Sequence, residues 1–302
     1  MEKTVRTKTL EIAYKDEGPE WGPVIFLLHG WPDDVRAWKD IAPLLHAAGY
    51  RTITPWLRGF GPTLFLSGAA VRDGRAVALA QDVIDLADAL VIDTFHVMGH
   101  DWGARTAYTL AALFPERTRS IVTMAVAFQP NGLFKMPDFS QARLFWYQWL
   151  MYVDDGAAKI RRNPVDFARI QWDTWSPAGW YKEEEFKLTA RSFENSDFVP
   201  ITLSGYRSRF MSTQVDPAYD ELQRQLGLIS RLSTPTLLIQ GAADTCDDPV
   251  SSEDMDQYFT GGYRRILLPR AGHFVPREAP DAVAAAAIEH LAGLTVATTG
   301  TI

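Results

Sequence analysis

The most constraining stretch of this sequence is Met98-Gly99-His100-Asp101-Trp102-Gly103-Ala104. It joins an apolar run, Thr94 to Met98, to a helical pattern, Ala104 to Phe114, that Pro115 ends. A chain passing from a buried strand into a helix over so few residues must turn sharply, and the turn has no room for bulk at Gly99 or Gly103. The residue at the crest, Asp101, takes a strained backbone conformation and projects its side chain above the sheet. It also stands at a helix N-terminus, where the dipole favours negative charge. The pattern is G-x-nucleophile-x-G, with a carboxylate where serine is usual. A bare G-x-D-x-G also suits an N-cap aspartate followed by a packing glycine. The strand before it and the helix after it favour the nucleophile.

The same alternation runs through the rest of the chain. Val5 to Ala13 reads as strand material, and Val24 to Leu28 as a strand buried on both faces. Asp34 caps a helix expected to reach Ala48, where Gly49 stops it, and Tyr50 to Pro55 is a further strand. Val77, Ala80, Ile84, Ala87 and Val91 recur at helical spacing, and Ser120 to Ala125 is again strand-like. This βαβα order predicts an α/β fold with a mainly parallel, doubly wound sheet. From Leu133 to Leu228 strand signals fade and aromatics crowd in, which reads as an inserted helical cap. The pattern returns with strands at Thr236–Gln240 and Arg264–Leu268 and a helix at Pro280–Leu291. The expected division is a core at 1–132, a cap at 133–228 and the rest of the core at 229–302.

Composition excludes several classes. The net charge of −7 and the lack of any Lys/Arg run remove the electrostatic basis for binding nucleic acid or an anionic membrane. The charged start, Met1 to Lys8, is neither a secretory signal nor a membrane span. One cysteine, Cys246, allows no internal disulfide. The six histidines form neither HExxH nor, with cysteine, a metal-ligand spacing. A cytoplasmic monomer or homodimer without metal or cofactor is expected.

Three further segments surround the elbow. His29-Gly30-Trp31-Pro32 follows the strand at 24–28 and aims the Trp31 N–H at the site, while the Trp102 N–H is the second candidate oxyanion donor. His29 is read as bracing that loop and as a candidate pocket residue. Ala271-Gly272-His273-Phe274 follows the last strand and places His273 for general-base work. Gly241-Ala242-Ala243-Asp244 follows the strand before, so Asp244 is the candidate to orient His273, with Asp247 and Asp248 as rivals. The rivals are read as caps of a helix starting at Pro249, and Cys246 as a packed residue. His100 is expected to point away from the nucleophile. The order Asp101, Asp244, His273 is nucleophile, acid, base.

An ionised aspartate attacks sp³ carbon directly and forms an alkyl ester, which water activated by His273 then hydrolyses. Epoxides and alkyl halides suit this chemistry. A halide leaves with N–H donors around it, whereas an epoxide oxygen needs a proton, which a phenol can supply.

At this point the chain resembles the epoxide hydrolases of the α/β-hydrolase superfamily over almost its whole length. HGWP at 29–32, GHDWGA at 99–104 and GHF at 272–274 are similar to the family's oxyanion, nucleophile and base motifs. Tyr147 in LFWYQWLMY and Tyr206 in LSGYRSRF resemble its ring-opening tyrosines. The resemblance implies an α/β-hydrolase fold and hydrolysis of a small, largely apolar epoxide by water, with both tyrosines on the epoxide oxygen. Trp146 and Trp149 are candidates to line or pack the pocket, and Tyr152, Tyr181 and Tyr219 to pack the cap. Trp56-Leu57-Arg58-Gly59 lacks the acidic residue common in the family's D-x-R-G stretch, and Pro62 to Leu66 is expected to alter the pocket mouth.

Other readings share Asp101. Haloalkane dehalogenases resemble the chain at Asp101-Trp102 but usually have Asn where Trp31 stands. Fluoroacetate dehalogenases usually carry arginine directly after the nucleophile and again three residues on. Here Arg105 fits and Trp102 does not, and Arg105 is read as a surface or salt-bridged residue. A non-catalytic ligand receptor on the same fold is the most distant alternative.

Overall fold

The computed structural model describes residues 2–299, with side chains to residue 293. The first half contains β1 (Glu2–Arg6), β2 (Leu10–Glu17), β3 (Val24–Leu28), α1 (Ala42–Ala47), β4 (Arg51–Pro55), β5 (Leu64–Phe65), α2 (Ala76–Ala89), β6 (Phe95–His100), α3 (Trp102–Leu113) and β7 (Thr118–Met124). A helical region follows: α4 (Phe139–Leu144), α5 (Trp146–Tyr152), α6 (Asp154–Arg162), α7 (Pro164–Thr174), α8 (Glu183–Ala190), α9 (Phe198–Arg207) and α10 (Asp220–Leu226). The chain then returns through β8 (Thr236–Gly241), β9 (Tyr263–Leu268), α11 (Val275–Glu278) and α12 (Pro280–Thr299).

The strands form one sheet in the order β1-β2-β4-β3-β6-β7-β8-β9, with β5 paired to β2. From β4 to β9 every pairing is parallel, and β1, β2 and β5 add an antiparallel edge. Alternate residues of the buried strands serve opposite faces. Ile25 and Leu27 pack with Leu45 of α1 and Leu291 of α12, whereas Phe26 and Leu28 pack with the side of α2 and α3. This two-faced burial is why the strands read as continuous apolar runs. The inserted helices lie between β7 and β8, over the ends of the parallel strands.

Some local expectations are corrected. Val5 to Ala13 is not one strand: the chain reverses at Thr7, whose N–H donates to the Leu10 carbonyl at 2.8 Å and closes a turn between β1 and β2. The helix expected from Asp34 to Ala48 is broken into a short 3₁₀ turn at Val35–Trp38 and α1. Pro43 explains the break, since it has no N–H and its ring would strike a carbonyl of the preceding turn. Within Pro62 to Leu66, β5 extends the sheet edge beside Leu10 and Glu11.

Arg58, in the stretch without the family's acidic residue, is fully buried and fixes the loop after β4. It donates two bonds of 2.6 Å to Asp82 on α2, one of 2.8 Å to the Asp73 carbonyl and one of 3.0 Å to the Tyr219 hydroxyl. Tyr219 thus carries a polar tie as well as packing. Removing one partner of a buried ion pair leaves the other charge stranded. Asp82→Ala is expected to lower unfolding stability by about 3–5 kcal/mol, read as a lower urea midpoint at unchanged slope.

Candidate active site

The elbow places Asp101 at φ 49°, ψ −108°, a left-handed conformation for a residue with a side chain. Its neighbours explain how the turn survives. A Cβ on Gly99 would lie 2.2 Å from the Gly103 carbonyl oxygen, and one on Gly103 would lie 2.0 Å from the Leu28 carbonyl oxygen. Backbone bonds hold both sides of the crest: the Asp101 N–H donates to Met124 at 3.1 Å, and the Arg105 N–H donates to Asp101 at 3.0 Å.

The loop after β3 closes over the carboxylate. The Trp31 N–H donates to Asp101 Oδ1 at 2.8 Å. Gly30 makes that approach possible, because a Cβ there would sit 2.6 Å from the Asp101 Cβ. The Trp102 N–H heads α3 and makes no bond to the carboxylate in this structure. His29 is fully buried, with Nδ1 on the Gly30 carbonyl and Nε2 accepting the Leu57 N–H at 3.1 Å. Both ring nitrogens are engaged with backbone, so His29 braces the loop and offers nothing to a pocket. Burial pushes its pKa down.

His273 stands between two carboxylates. Its Nδ1 is 2.9 Å from Asp244 Oδ2, and its Nε2 is 4.0 Å from Asp101 Oδ2. The other Asp244 oxygen accepts the N–H groups of Cys246 and Asp247 at 2.7 and 3.0 Å. Burial works against protonating His273, but Asp244 and then Asp101 outweigh it and raise its pKa to about 9. Neither rival acid partners the imidazole. Asp248 caps the 3₁₀ turn at Pro249 by accepting the Val250 N–H, whereas Asp247 is buried with a pKa raised to about 6 by burial. His100 donates its Nε2–H to the His273 carbonyl at 2.8 Å, so it supports the base loop.

Two tyrosines of the helical region complete the group. Tyr147 of α5 and Tyr206 of α9 have perpendicular rings with centroids 5.5 Å apart. Trp31 stacks on Tyr147 at 5.8 Å and meets Tyr206 edge-on at 5.2 Å. The Tyr206 hydroxyl is buried without a hydrogen-bond partner. That of Tyr147 accepts from Gln148 at 3.1 Å and lies 3.6 Å from the Cys246 sulfur. Burial raises both phenol pKa values well above the ordinary range, and the Asp101 charge raises them further. Both therefore remain protonated at neutral pH.

Of the other pocket candidates, Trp146 is partly exposed and packs on Tyr147 and Phe167. Trp149 packs on Tyr152 and Phe210 and donates to the Ala142 carbonyl at 2.7 Å. Sequence reasoning missed Trp175 and Ser176. The Trp175 carbonyl and the Ser176 hydroxyl accept the His273 N–H at 3.1 and 2.9 Å, and the Trp175 ring lies 4.8 Å from the imidazole. Their signal was spatial: the base loop leans on a segment almost a hundred residues earlier.

The α/β-hydrolase fold family model matches residues 23–280. Epoxide hydrolase 3 of Siraitia grosvenorii is 34% identical over 93% of this chain and 94% of its own length. Epoxide hydrolase A of Mycobacterium tuberculosis is 25% identical over 97% of this chain and 98% of its own. A Klebsiella pneumoniae crystal structure with the provisional designation epoxide hydrolase superposes with a TM-score of 0.90 at 35% identity, covering 96% of each chain. No helix among the described residues is long and apolar enough to cross a membrane. The chain belongs to the epoxide hydrolases of the α/β-hydrolase superfamily.

Proposed function

We propose that this protein hydrolyses a small epoxide to a vicinal diol through an ester of Asp101. The observation that carries the reading is a set of open polar valences in one buried space. Asp101 Oδ2 faces His273 Nε2 at 4.0 Å, and both that nitrogen and the Tyr206 hydroxyl lack a hydrogen-bond partner. Buried polar atoms are seldom left unpaired, so the arrangement suits a bound reactant and water.

In the first step Asp101 attacks a ring carbon, the carbon–oxygen bond breaks, and the ring oxygen takes a proton from Tyr206, with Tyr147 as the second donor. In the second, His273 removes a proton from water as it adds to the Asp101 carboxyl carbon, and the Trp31 N–H stabilises the oxyanion. Collapse releases the diol, whose new hydroxyl takes the proton from His273. The regenerated carboxylic acid returns its proton to His273, which restores the starting ion pair. No cofactor enters the sequence.

The timing follows from electrostatics. While Asp101 is ionised it helps to hold a proton on His273. Ester formation removes that charge, so the imidazolium gives its proton to the Tyr206 phenolate and the neutral imidazole can act as base. Asp101→Asn is therefore expected to lower the His273 pKa from about 9, followed by NMR titration of the imidazole. An unchanged value would contradict the coupling. The sign for stability is also fixed. The folded pKa is raised above the ordinary value, so the stabilisation is complete below about pH 6.5 and is lost as pH rises through about 9. His273→Gln should flatten that limb of the stability profile.

Haloalkane cleavage is the second reading, and one observation favours it: the Trp31 and Trp102 indole N–H groups are both buried without partners and could receive a halide. Incubation with styrene oxide and, separately, with a bromoalkane separates the two. Diol without bromide is expected, and bromide without diol would overturn the epoxide reading. Tyr206→Phe should slow diol formation by about 10² or more and Tyr147→Phe less, since its hydroxyl already has protein partners.

A further inference from the structure

A cavity of about 470 Å³ lies beside the reacting groups, bounded by Trp102, Arg105, Phe134, Gly205, Arg209 and Leu226 among others. Asp101, His273, Tyr147 and Tyr206 are not in its lining. The Trp102 indole belongs to both neighbourhoods. It lines the cavity, lies against Gly205, where a Cβ would meet it at 2.9 Å, and packs on the Tyr206 ring at 5.5 Å. One side chain, next in sequence to the nucleophile, stands between the cavity and the reacting groups.

Two guanidinium groups face this cavity without a counter-ion among the described residues. Arg105 lies one helical turn beyond Asp101, and Arg209 follows α9. They flank the Phe134 ring at 4.9 and 4.5 Å, and Arg209 also lies 4.2 Å over Tyr206. The Nε atom of each is buried with no hydrogen-bond partner. Arg209 donates one side-chain bond, to Gln148 at 3.1 Å. Arg105 makes no side-chain bond or ion pair among the described residues, which corrects its reading as a surface or salt-bridged arginine. Asp247 and Asp101 attract it only at longer range, and Arg209 repels it. Elsewhere the buried arginines are paired: Arg58 with Asp82, Arg75 with Asp73 and Arg277 with Asp33.

Two adjacent, half-buried cations that repel one another are stabilised by an anion placed between them. The guanidinium fork matches a carboxylate in shape as well as charge. We propose that this cavity seats a carboxylate of the substrate, so that the enzyme acts on epoxides carrying an acid group beyond an apolar segment. This rests on the epoxide reading above and refines it. The aromatic lining accounts for the middle of such a substrate, and the arginine pair for its far end.

A matched pair of probes tests the idea: 4-(oxiran-2-yl)benzoate and its methyl ester. The acid is expected to exceed the ester in kcat/KM by about tenfold or more. That ratio should fall toward one in Arg105→Gln and in Arg209→Gln, recover in part in Arg105→Lys, and shrink with added salt. Each ratio is taken on one protein sample, so loss of folded enzyme cancels. Equal turnover of acid and ester, or a ratio that neither substitution moves, overturns the proposal. If neither probe is hydrolysed, the epoxide reading fails separately, and calorimetry with 4-ethylbenzoate decides the anion seat. Binding weakened about tenfold by either Gln substitution supports it, and no saturable binding overturns it.

Discussion

The site depends on how closely the first turn of α3 lies against the end of β3. At Gly103 there is no space for even a methyl group beside the Leu28 carbonyl, and at Gly30 none beside the Asp101 Cβ. These contacts push Asp101 into its left-handed conformation and lift its carboxylate clear of the sheet. They also bring the Trp31 amide within bonding distance of it. The strain at one residue, of order 1–3 kcal/mol, is borne by a sheet and helix whose packing allows no other path for the chain.

Charge at the site is balanced by geometry. Asp244 spends one oxygen on two backbone amides and keeps the other for His273, so its direction is set before any substrate binds. His273 is then held between two carboxylates in a space that Trp31, Trp175, Tyr147 and Tyr206 close to water. In that low-dielectric setting each charge strongly shifts its neighbours. On the proposed mechanism, loss of the Asp101 charge on ester formation becomes a signal that His273 can read.

Much of this was legible in the chain. The elbow, the loop at His29 to Trp31 and the base loop at His273 are short motifs in which glycine flanks the polar residues, although the contacts that require Gly30, Gly103 and Gly272 come from distant parts of the chain. The buried strands announced themselves because both faces of the sheet are covered. The boundary errors fell where a single residue overrode the pattern, as at Pro43 and at the reversal near Thr7. The support of His273 by Trp175 and Ser176 was not legible, because aromatic and serine residues in a helical region look alike whether they pack or brace. Arg105 was misjudged for the same reason: a helical arginine looks like a surface residue until its surroundings are known.

By itself, the sequence determined the strand-rich core and singled out Asp101, Asp244 and His273 as candidate nucleophile, acid and base, since each is set by residue identity at close spacing. Tertiary structure decided which acid holds His273, which hydroxyl stays unpaired and where Arg105 and Arg209 meet. Those outcomes depend on which side chains the folded helical region brings to the mouth of the sheet. Contacts between residues far apart in the chain have no periodicity to reveal them, and burial alone turns an ordinary tyrosine or arginine into a group whose free valence carries chemistry.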